Sequence, residues 1–586
     1  MTDAPRTEAQ KTDRELVSRV WPYLRRSDGW LIIVAIMTPL GVLGELAQPM
    51  LLKEGIDTAI ASGDVPALLD IALLFSVVVL GGFLAQCLGY FGLQIIGLRA
   101  LARIRADLFR RVMGQGQSFF DRRTTGSLMT RTTNDVEAIY DSLAFGAVAL
   151  ISDALTIVGT VVVMLFLDWK LTLVAFSISP LIVLVVNLFR RKIRHLFTAI
   201  RKALSVLNGF FAEQIHGVQV LQLYGAEERA HADFRRQAHA YLDLYRRANW
   251  WDAALYAIMD GISALAVGLM LMYGAYQFDI DTSGVTLGLL VAFIDYLTKV
   301  FVPIREFSGR FAMIQRAIAA LERVFGLLDT LEEIGPGEAP MGEATGAITF
   351  EGVSFAYRED RADVLHDISF SVRPGEVVAI VGATGSGKTT IGKLLQRMYD
   401  GYRGSIKLDD RELRGVPPED VRRNVTVVHQ DAYLFDAPIR DNITLWADIP
   451  DAAIQRAAQQ SRADSFIDEY ADGYDHLIKE RGGNLSSGQK QLLTIARAMV
   501  RAAPVVILDE ATASVDSLTE RLIDQAVDEL LADRTVLVIA HRLSTITKAD
   551  RILVLHGGRI VEQGAHQDLL TLGGRYAYLV ETGFSG

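Results

Sequence analysis

The sequence predicts two fold classes in one chain, an all-α transmembrane domain of six helices followed by an α/β domain built on a phosphate-binding loop. Three observations predict this. The N-terminal part holds six long apolar runs, the C-terminal part holds a glycine-rich loop between an apolar strand and a helix, and a Gly-, Pro- and Glu-rich stretch separates them. The predicted limits are 1–331 for the membrane domain, 332–346 for the linker and 347–586 for the α/β domain.

The composition agrees with a membrane protein that carries a water-soluble domain. Apolar residues make up 50% of the chain and the mean hydropathy is +0.25. The net charge of -10 gives no electrostatic reason to expect nucleic acid as a partner. The single cysteine, Cys87, excludes an intrachain disulfide, and its apolar surroundings predict an ordinary buried thiol.

Six segments are long and apolar enough to cross a lipid bilayer, whereas six such runs are rare in one soluble chain. The predicted spans are Trp30–Leu52, Ile71–Ile96, Leu143–Leu167, Leu171–Phe189, Ala253–Phe278 and Val285–Pro303. Before them, residues Arg14 to Leu24 form an amphipathic pattern that predicts a short helix on the membrane surface.

The distribution of positive charge predicts the orientation of the spans. The connections after spans one, three and five are short and nearly free of Lys and Arg, whereas those after spans two and four are long and basic. The positive-inside rule therefore places both termini and the long connections in the cytoplasm. The N-terminus lacks the pattern of a secretory signal, and a half-size chain rich in Gly and Arg favours a multi-pass protein of a bacterial inner membrane.

The two long cytoplasmic connections keep a helical pattern. They cover Ser118 to Val136 and Phe211 to Phe234, and each spans a predicted break at a glycine flanked by helix-forming sequence, Gly126 in the first and Gly217 in the second. We expect each to form a helix, a short transverse segment at the glycine, and a helix that returns to the membrane. Such an arm would hold a short helix well below the bilayer, where another domain can push on it.

The α/β domain begins with the alternating strand pattern ITFEGVSFAY and then carries GATGSGKT, a full match to the phosphate loop G-x-x-x-x-G-K-[ST]. Glycines let backbone N–H groups close around phosphate oxygens at a helix N-terminus, the lysine reaches the phosphates, and the following hydroxyl suits Mg²⁺. The candidate nucleotide-binding residues are Gly382, Thr384, Gly385, Ser386, Gly387, Lys388, Thr389 and Thr390, with Thr389 also a candidate metal ligand.

A second apolar strand, in PVVILDEATASVD, ends in two carboxylates. Asp509 is placed to bind Mg²⁺, directly or through water, and Glu510 to polarise the water that attacks the γ-phosphate. Alone, such a pair could equally be a surface acidic pair at a strand end. The phosphate loop upstream favours the catalytic interpretation.

On these motifs the chain resembles an ABC transporter of the exporter type, from about Arg14 to its end. The family's own marker is the LSGGQ signature, which stands here as LSSGQ at Leu485 to Gln489. The resemblance implies that ATP and Mg²⁺ bind and that two ATP-binding cassettes pair head to tail, so that each signature closes over ATP held by the other. It implies nucleotide contacts for Ser486, Ser487, Gly488 and Gln489.

Four further family positions carry over one residue at a time. Tyr357 matches the aromatic residue that stacks on adenine, although a strand tyrosine is also compatible with the core. Gln430 matches the glutamine that reaches Mg²⁺ and the attacking water, His541 the switch histidine at the γ-phosphate, and Asp516 the aspartate that crosses the cassette interface. The resemblance thus implies Glu510, His541 and Gln430 as catalytic residues, and Thr389, Gln430 and Asp509 as metal ligands.

The chain departs from the family pattern around its signature. Ser487 replaces the middle glycine, and of the usual TEVGERG before the signature only Glu480, Arg481 and Gly482 remain. One chain supplies one phosphate loop and one signature, so the resemblance implies a dimer. The altered signature beside an intact Glu510 favours a heterodimer with a second half-transporter, and a homodimer stays open.

The sequence favours ATP-driven export of an amphiphilic drug-like, lipid or peptide compound, whereas an importer on the exporter fold and an ATP-gated channel or regulator remain alternatives. Acidic residues at membrane depth cost free energy and tend to face protein or a watery cavity. Four of them, Glu45, Asp153, Asp260 and Asp295, predict a cavity of negative potential that favours neutral or cationic compounds, unless Asp295 pairs with Lys299 one helical turn away.

Overall fold

The computed structural model describes residues 13–142, 148–278, 285–358, 360–429, 433–509, 517–539 and 543–582. The chain divides into two compact units. The membrane unit runs to Val112 and continues over Gly126–Asp329, and the second unit holds Met113–Thr125 and Thr330–Gly586. The stretch 113–125 thus packs with the second unit, and the domain limits proposed from the sequence stay a prediction.

Helices make up the part of the chain from Asp13 to Asp329 that the structure describes. They are α1 Asp13–Arg25, α2 Asp28–Glu54, α3 Val65–Met113, α4 Gln117–Arg122, α5 Thr125–Thr130, α6 Val136–Asp141, α7 Val148–Leu167, α8 Trp169–Phe176, α9 Ser179–His216, α10 Val218–Leu223, α11 Glu227–Phe278 and α12 Leu287–Asp329, with π-helical turns at Gly55–Ile60 and Arg131–Asp135.

Six helical stretches of mean hydropathy 1.8 to 2.4 are long and apolar enough to cross a membrane, which confirms the predicted six spans. They are Asp28–Ile60, Val65–Met113, Ala149–Leu167, Trp169–His216, Glu227–Tyr276 and Leu287–Asp329. The first residues of the predicted third span, 143–147, lie outside the described residues. Helix α3, with 49 residues, is about 74 Å long at 1.5 Å per residue, so it extends far beyond a bilayer core of about 30 Å.

In the two long cytoplasmic connections, one predicted helix break is confirmed and the other is wrong. Helix α9 ends at His216 with Gly217 as its C-cap, as predicted. The predicted break at Gly126 is wrong, because Gly126 lies inside α5 and the helix breaks at Arg123, whose backbone is extended (φ -128°, ψ 134°). The Arg123 guanidinium lies 4.2 Å from the centre of the Phe119 ring and 3.7 Å from the Glu332 carboxylate. These contacts fix the extended residue.

The predicted amphipathic helix is present as α1, and its apolar face packs within the membrane unit. Leu16 and Val20 are buried, and Arg19 pairs with Asp329 at 2.6 Å. The N-terminal helix is therefore bound to the end of α12 as well as being suited to a membrane surface.

Helix α12 forms the centre of the membrane unit. Phe293 and Tyr296 are fully buried, and the Tyr296 hydroxyl donates a hydrogen bond of 2.7 Å to the Leu46 carbonyl of α2. Helices α2 and α3 approach closely where glycines meet, since a Cβ atom on Gly44 would lie 3.0 Å from the Gly82 Cα. Small residues at such crossings let membrane helices pack by van der Waals contact.

Cys87 is exposed on α3, so the predicted buried thiol is wrong. The neighbouring apolar side chains Leu84, Leu88 and Phe91 are exposed as well. An apolar sequence around a cysteine therefore does not distinguish a buried thiol from one on the exposed apolar face of a membrane helix.

The α/β part of the second unit holds twelve strands among its described residues. They are β1 Ile348–Phe355, β2 Leu365–Val372, β3 Val377–Val381, β4 Arg403–Leu408, β5 Arg411–Glu412, β6 Val425–Val428, β7 Ala437–Pro438, β8 Leu477–Ile478, β9 Val505–Asp509, β10 Thr535–Ile539, β11 Arg551–His556 and β12 Arg559–Gly564.

Helices of the same part surround these strands. They are α13 Lys388–Leu395, α14 Pro418–Asn424, α15 Ile439–Thr444, α16 Asp451–Gln460, α17 Asp464–Ile467, α18 Ser487–Val500, α19 Ser517–Leu531, α20 Leu543–Ile546, α21 His566–Leu572 and α22 Arg575–Glu581.

The main sheet has the strand order β12-β11-β3-β10-β9-β6, and all its pairings are parallel except that of β11 with β12. An antiparallel sheet, β2-β1-β4-β5, forms a second sheet. The central strands β3, β9 and β10 are almost wholly apolar and buried, as expected of parallel strands covered on both faces. Their carboxyl ends lie at one edge, where parallel sheets bind ligands.

Within the second unit, the stretch 113–125 that carries α4 is held by hydrogen bonds with Glu332 and by one from Tyr399. The Gly116 N–H donates to the Glu332 carbonyl at 2.9 Å, and the Glu332 N–H donates to Gln115 Oε1 at 2.8 Å. The Tyr399 hydroxyl donates to the Asp121 carboxylate. Burial, followed by this hydrogen bond, raises the pKa of Tyr399.

Candidate nucleotide-binding site

The loop between β3 and α13 has the backbone that the phosphate-loop motif requires. Gly387 has φ 105°, a left-handed conformation that favours glycine. A Cβ atom on Gly382 would lie 2.3 Å from the Leu555 carbonyl oxygen, and one on Gly387 would lie 2.6 Å from Leu365 Cδ2. Both glycines are therefore needed for close packing of the loop as well as for its conformation.

Lys388 opens helix α13 and turns back toward the loop. Its side chain is buried, with 5% exposed, and its Nζ donates hydrogen bonds to the carbonyls of Gly382 at 2.7 Å and Ala383 at 3.1 Å. Burial lowers the pKa of Lys388, and the nearby Asp509 carboxylate raises it. The loop therefore encloses a cationic group whose charge is desolvated, a suitable partner for phosphate oxygens.

Two hydroxyls of the loop fit a phosphate and a magnesium ion. Ser386 Oγ is buried and has no hydrogen-bond partner among the described residues. Thr389 is exposed in the first turn of α13. An unsatisfied buried hydroxyl is costly unless a ligand bonds it, and a phosphate oxygen at the helix N-terminus supplies that acceptor. Thr384 and Gly385 are exposed at the loop tip.

Asp509 is the last residue of β9 and lies close enough to Lys388 for their charges to interact. Among the described residues, no group of three or more His, Cys, Asp or Glu side chains could hold a metal ion. Mg²⁺ in nucleotide sites uses one or two protein ligands together with phosphate oxygens and water. The Asp509 carboxylate and the Thr389 hydroxyl are of the type that fits this ion.

Tyr357 and Thr390 lie together behind the loop. Their hydroxyl oxygens are 3.0 Å apart, and Thr390 is buried. The ring of Tyr357 is 36% exposed and meets the rings of Phe355 and Tyr399 edge to face at 5.0 and 5.2 Å. The exposed ring remains available to stack on a base, whereas the hydroxyl of Thr390 is engaged with Tyr357.

The other predicted catalytic positions follow strands that end at the same edge. Strands β6, β9 and β10 end at Val428, Asp509 and Ile539, parallel to β3. In the chain, Glu510 comes directly after β9, whereas Gln430 and His541 come two residues after the ends of β6 and β10. All three lie outside the described residues, as does Asp516. The strand order brings the carboxyl ends of β6, β9 and β10 to the edge of the sheet where the phosphate loop follows β3.

His429 is a site residue that the sequence analysis did not single out. It follows β6 directly, and the surrounding protein lowers its pKa by desolvation, with Lys393 and Arg497 lowering it further and Asp509 raising it. The position of His429 next to Gln430 in the sequence was the only available signal.

Arg497 is a second residue that the motifs did not reveal. Its Nε donates to the Asn442 carbonyl at 2.8 Å, and its Nη1 donates to the Tyr433 carbonyl at 3.1 Å. Burial, with the like charge of Arg501, lowers the pKa of Arg497 to about 10. This arginine connects the chain after β6 to α18, the helix that begins within the signature.

The signature residues form the start of α18. Ser486 is the N-cap, and its hydroxyl accepts a hydrogen bond of 3.2 Å from the Gln489 N–H while Gln489 Oε1 accepts one of 2.9 Å from the Ser486 N–H. This is a capping box, which the sequence S-x-x-Q signals. Ser487 is exposed and Gly488 is buried. The side chain that replaces the family's glycine therefore points away from the helix core.

We expect Ser486→Ala to weaken the start of α18 by about 1 kcal/mol, because the cap loses its acceptor. Amide hydrogen exchange at residues 486–489, measured by mass spectrometry, should become about fivefold faster, because this turn opens more often. Ser486→Thr keeps a hydroxyl and serves as the matched control. Unchanged protection in Ser486→Ala would show that the capping box does not hold this turn.

The stretch before the signature contains a strained turn. Arg481 has φ 54° within the turn Glu480–Gly482, which is unusual for a residue other than glycine. A Cβ atom on Gly482 would lie 2.8 Å from Lys490 Cε. The three residues that match the family here therefore include the glycine that packs against the signature helix.

Asp295 and Asp153, both at membrane depth, have basic partners among the described residues. Asp295 pairs with Lys299 at 3.6 Å, as the four-residue spacing predicted. Asp153 pairs with Arg310, which also bonds Glu306 at 2.6 Å. Asp260 is exposed. Two of the predicted negative charges are thus offset by positive charges of α12.

Known proteins share both parts of the chain. The family model for the ABC transporter transmembrane region matches residues 31–304, and the family model described as ABC transporter matches residues 365–513. A Streptococcus pneumoniae protein provisionally designated ABC transporter ATP-binding protein exp8 is 36% identical over 94% of this chain and 97% of its own. The ATP-dependent lipid A-core flippase of Thiobacillus denitrificans is 34% identical, over 98% of this chain and 99% of its own.

Among solved structures, one titled as a bacterial Atm1-family ABC exporter with ATP bound superposes with a TM-score of 0.75. It is 29% identical in sequence, and the match covers 95% of this chain and 98% of that one.

Proposed function

Because the chain belongs to the ABC transporter family, as an exporter half-transporter with an ATPase cassette, we propose that it uses MgATP to export an amphiphilic compound by alternating access of a dimer. Such a dimer pairs two membrane domains and two cassettes. The proposed substrate class is drug-like, lipid or peptide, and the proposed location is the bacterial inner membrane with both termini in the cytoplasm. The lipid bilayer is then the chain's second partner.

The observation that carries this proposal is the loop around Lys388. Its ammonium is buried against two loop carbonyls, the Ser386 hydroxyl beside it lacks a partner among the described residues, and Asp509 is close by. All three features suit the phosphates of a nucleotide with its metal ion. Because the family matches cover both the membrane domain and the cassette, we propose that ATP hydrolysis by the cassette drives movement of the membrane domain.

The proposed steps follow from the residues of this chain. Lys388 and the loop N–H groups bind the phosphates and Tyr357 stacks on the base. Thr389, Asp509 and Gln430 would hold Mg²⁺, which would offset phosphate charge. Ser486 to Gln489 of one half close over nucleotide bound to the other half. Glu510 then orients water in line with the γ-phosphate, and His541 contacts that phosphate. Hydrolysis resets the dimer.

Transport in proteoliposomes of known sidedness tests the function. We expect ATP-dependent movement of an amphiphilic dye against its gradient, away from the cassette side. Movement toward the cassette side would indicate an importer, and ATP-gated downhill flux alone would indicate a channel. Either result contradicts export.

The dimer is proposed to contain a non-identical partner, because Ser487 alters one signature while Glu510 remains intact. We expect the purified chain alone to show weak ATPase activity in lipid, and co-expression with a half-transporter encoded next to it to raise that activity at least tenfold. The partner's unaltered signature would complete the site on this chain's phosphate loop. Robust, cooperative and substrate-stimulated activity of the chain alone would establish a homodimer instead.

A further inference from the structure

The membrane unit contains a cavity of about 360 Å³ lined by α2, α3, α7 and α12. Most of its lining side chains are polar, although all four helices belong to the membrane spans. Its ionisable lining residues are Glu45, Asp153, Lys299, Glu306 and Arg310. A volume of this size matches a small organic ligand.

Both cations of the cavity already have carboxylate partners. Arg310, of α12, bonds Asp153 of α7 and Glu306 one turn away on its own helix. Lys299 has only 14% of its side chain exposed and lies 3.6 Å from Asp295. Neither cation is therefore available to attract an anionic ligand without breaking an existing pair.

Glu45 is different from the other acids. It is half-buried on α2 and lines the cavity, and within the described residues it makes no hydrogen bond or ion pair. A carboxylate at membrane depth without a counter-charge is costly, and such residues characteristically face a ligand or ion pathway. Lys299 and Asp295 neutralise each other, Arg310 is shared by Asp153 and Glu306, and Glu45 is left as the carboxylate without a cation among the described residues.

From this arrangement we propose that Glu45 binds the cationic group of the transported amphiphile inside this cavity. The inference rests on the proposed function and names its substrate class as organic cations with an apolar tail. Tyr90 lines the same cavity and supplies an aromatic ring of the kind that attracts cations, while Val42, Val302 and Pro303 supply apolar surface for the tail. Asp153 and Asp295 instead hold Arg310 and Lys299 in place by pairing with them.

The test is equilibrium binding of radiolabelled octyltrimethylammonium and octanesulfonate to the full-length protein in nanodiscs, with empty nanodiscs subtracted. We expect the wild type to bind the cation at least tenfold more tightly than the anion. Glu45→Gln should weaken cation binding at least tenfold, and Glu45→Asp, which keeps the charge, should retain the preference. Asp260→Asn removes an acid that does not line the cavity, and it should bind as the wild type does.

A second measurement needs no variant. Octyltrimethylammonium, and not octanesulfonate, should slow the modification of Glu45 by a carbodiimide in the wild-type protein, followed by peptide mass spectrometry. Equal binding of the two amphiphiles, an unchanged preference in Glu45→Gln, or equal modification rates would each overturn the inference. Failure of the proposed function would look different, as a wild-type protein without ATP hydrolysis or ATP-dependent uptake.

Discussion

Glu510→Gln should reduce steady-state ATP hydrolysis by at least about 10³-fold while leaving ATP binding intact. The substitution keeps the shape of the side chain and removes the carboxylate that orients and polarises the attacking water, a role that contributes about 10²- to 10⁴-fold to a rate. Because binding is retained and hydrolysis is lost, the variant should accumulate as a dimer with closed cassettes. Steady-state phosphate release and trapping of radiolabelled ATP measure the two properties separately.

Glu529→Gln is the matched control for this variant. Glu529 is exposed on α19, in the same part of the chain, and away from the strand ends that form the site. It should hydrolyse ATP at the wild-type rate. If Glu510→Gln also retained near wild-type turnover, Glu510 would not be the catalytic carboxylate, whatever the strand order suggests.

The membrane half shows what hydropathy can and cannot predict. Length and apolar character gave the six spans, since the bilayer fixes how many apolar residues a spanning helix needs. The arms were less predictable. Gly217 does end a helix, whereas Gly126 does not, because a glycine is tolerated in the first turn of α5 and the contacts of Arg123 set the break.

Charge at membrane depth was predictable only in part. The spacing of Asp295 and Lys299 on one helix revealed their pairing, since residues four apart face each other. The pairing of Asp153 with Arg310 joins residues on different helices, and no local pattern signals it. For this reason the sequence gives four equivalent acids, whereas the structure separates Glu45 from the rest.

The nucleotide site was the most predictable part, because its motifs combine a strand, a loop and a helix in a fixed order. The structure confirms β3, β9 and β10 with helix α13 after the loop. His429, Arg497 and Tyr399 escaped notice since their roles depend on contacts distant in sequence, such as that of Arg497 with Tyr433. The roles of Gln430, Glu510 and His541 remain predictions, for which Glu510→Gln is the first test.

Lys388→Ala should weaken ATP binding on the order of 100-fold, in contrast to Glu510→Gln. The buried ammonium now bonds two loop carbonyls, at 2.7 and 3.1 Å, and a nucleotide phosphate offers it a stronger, charged acceptor. Loss of two charge-assisted hydrogen bonds costs about 3 kcal/mol, or roughly 150-fold in affinity. Equilibrium binding of radiolabelled ATP with Mg²⁺ gives the affinity directly.

Lys407→Ala removes a lysine on β4 that pairs with Glu351 at 2.9 Å, outside the loop, and should leave ATP affinity unchanged. It controls for the loss of one positive charge from the chain. An affinity of Lys388→Ala within threefold of wild type would contradict the role of this ammonium.

The pH dependence of ATP affinity gives a further readout of the same residue. Burial lowers the pKa of Lys388 in the free protein, and bound phosphates must raise it because they favour the charged form. The contribution of Lys388 to affinity is therefore complete below its free-state pKa and is lost as the pH rises toward its bound-state pKa. Lys388→Arg keeps its positive charge at every accessible pH. We expect its ATP affinity to be weaker, because the side-chain geometry differs, but to change less with pH. The contrary result would be a wild-type ATP affinity that does not fall in the alkaline range, with the same pH profile in Lys388→Arg. That result would show that the Lys388 ammonium is not the group that binds the phosphates.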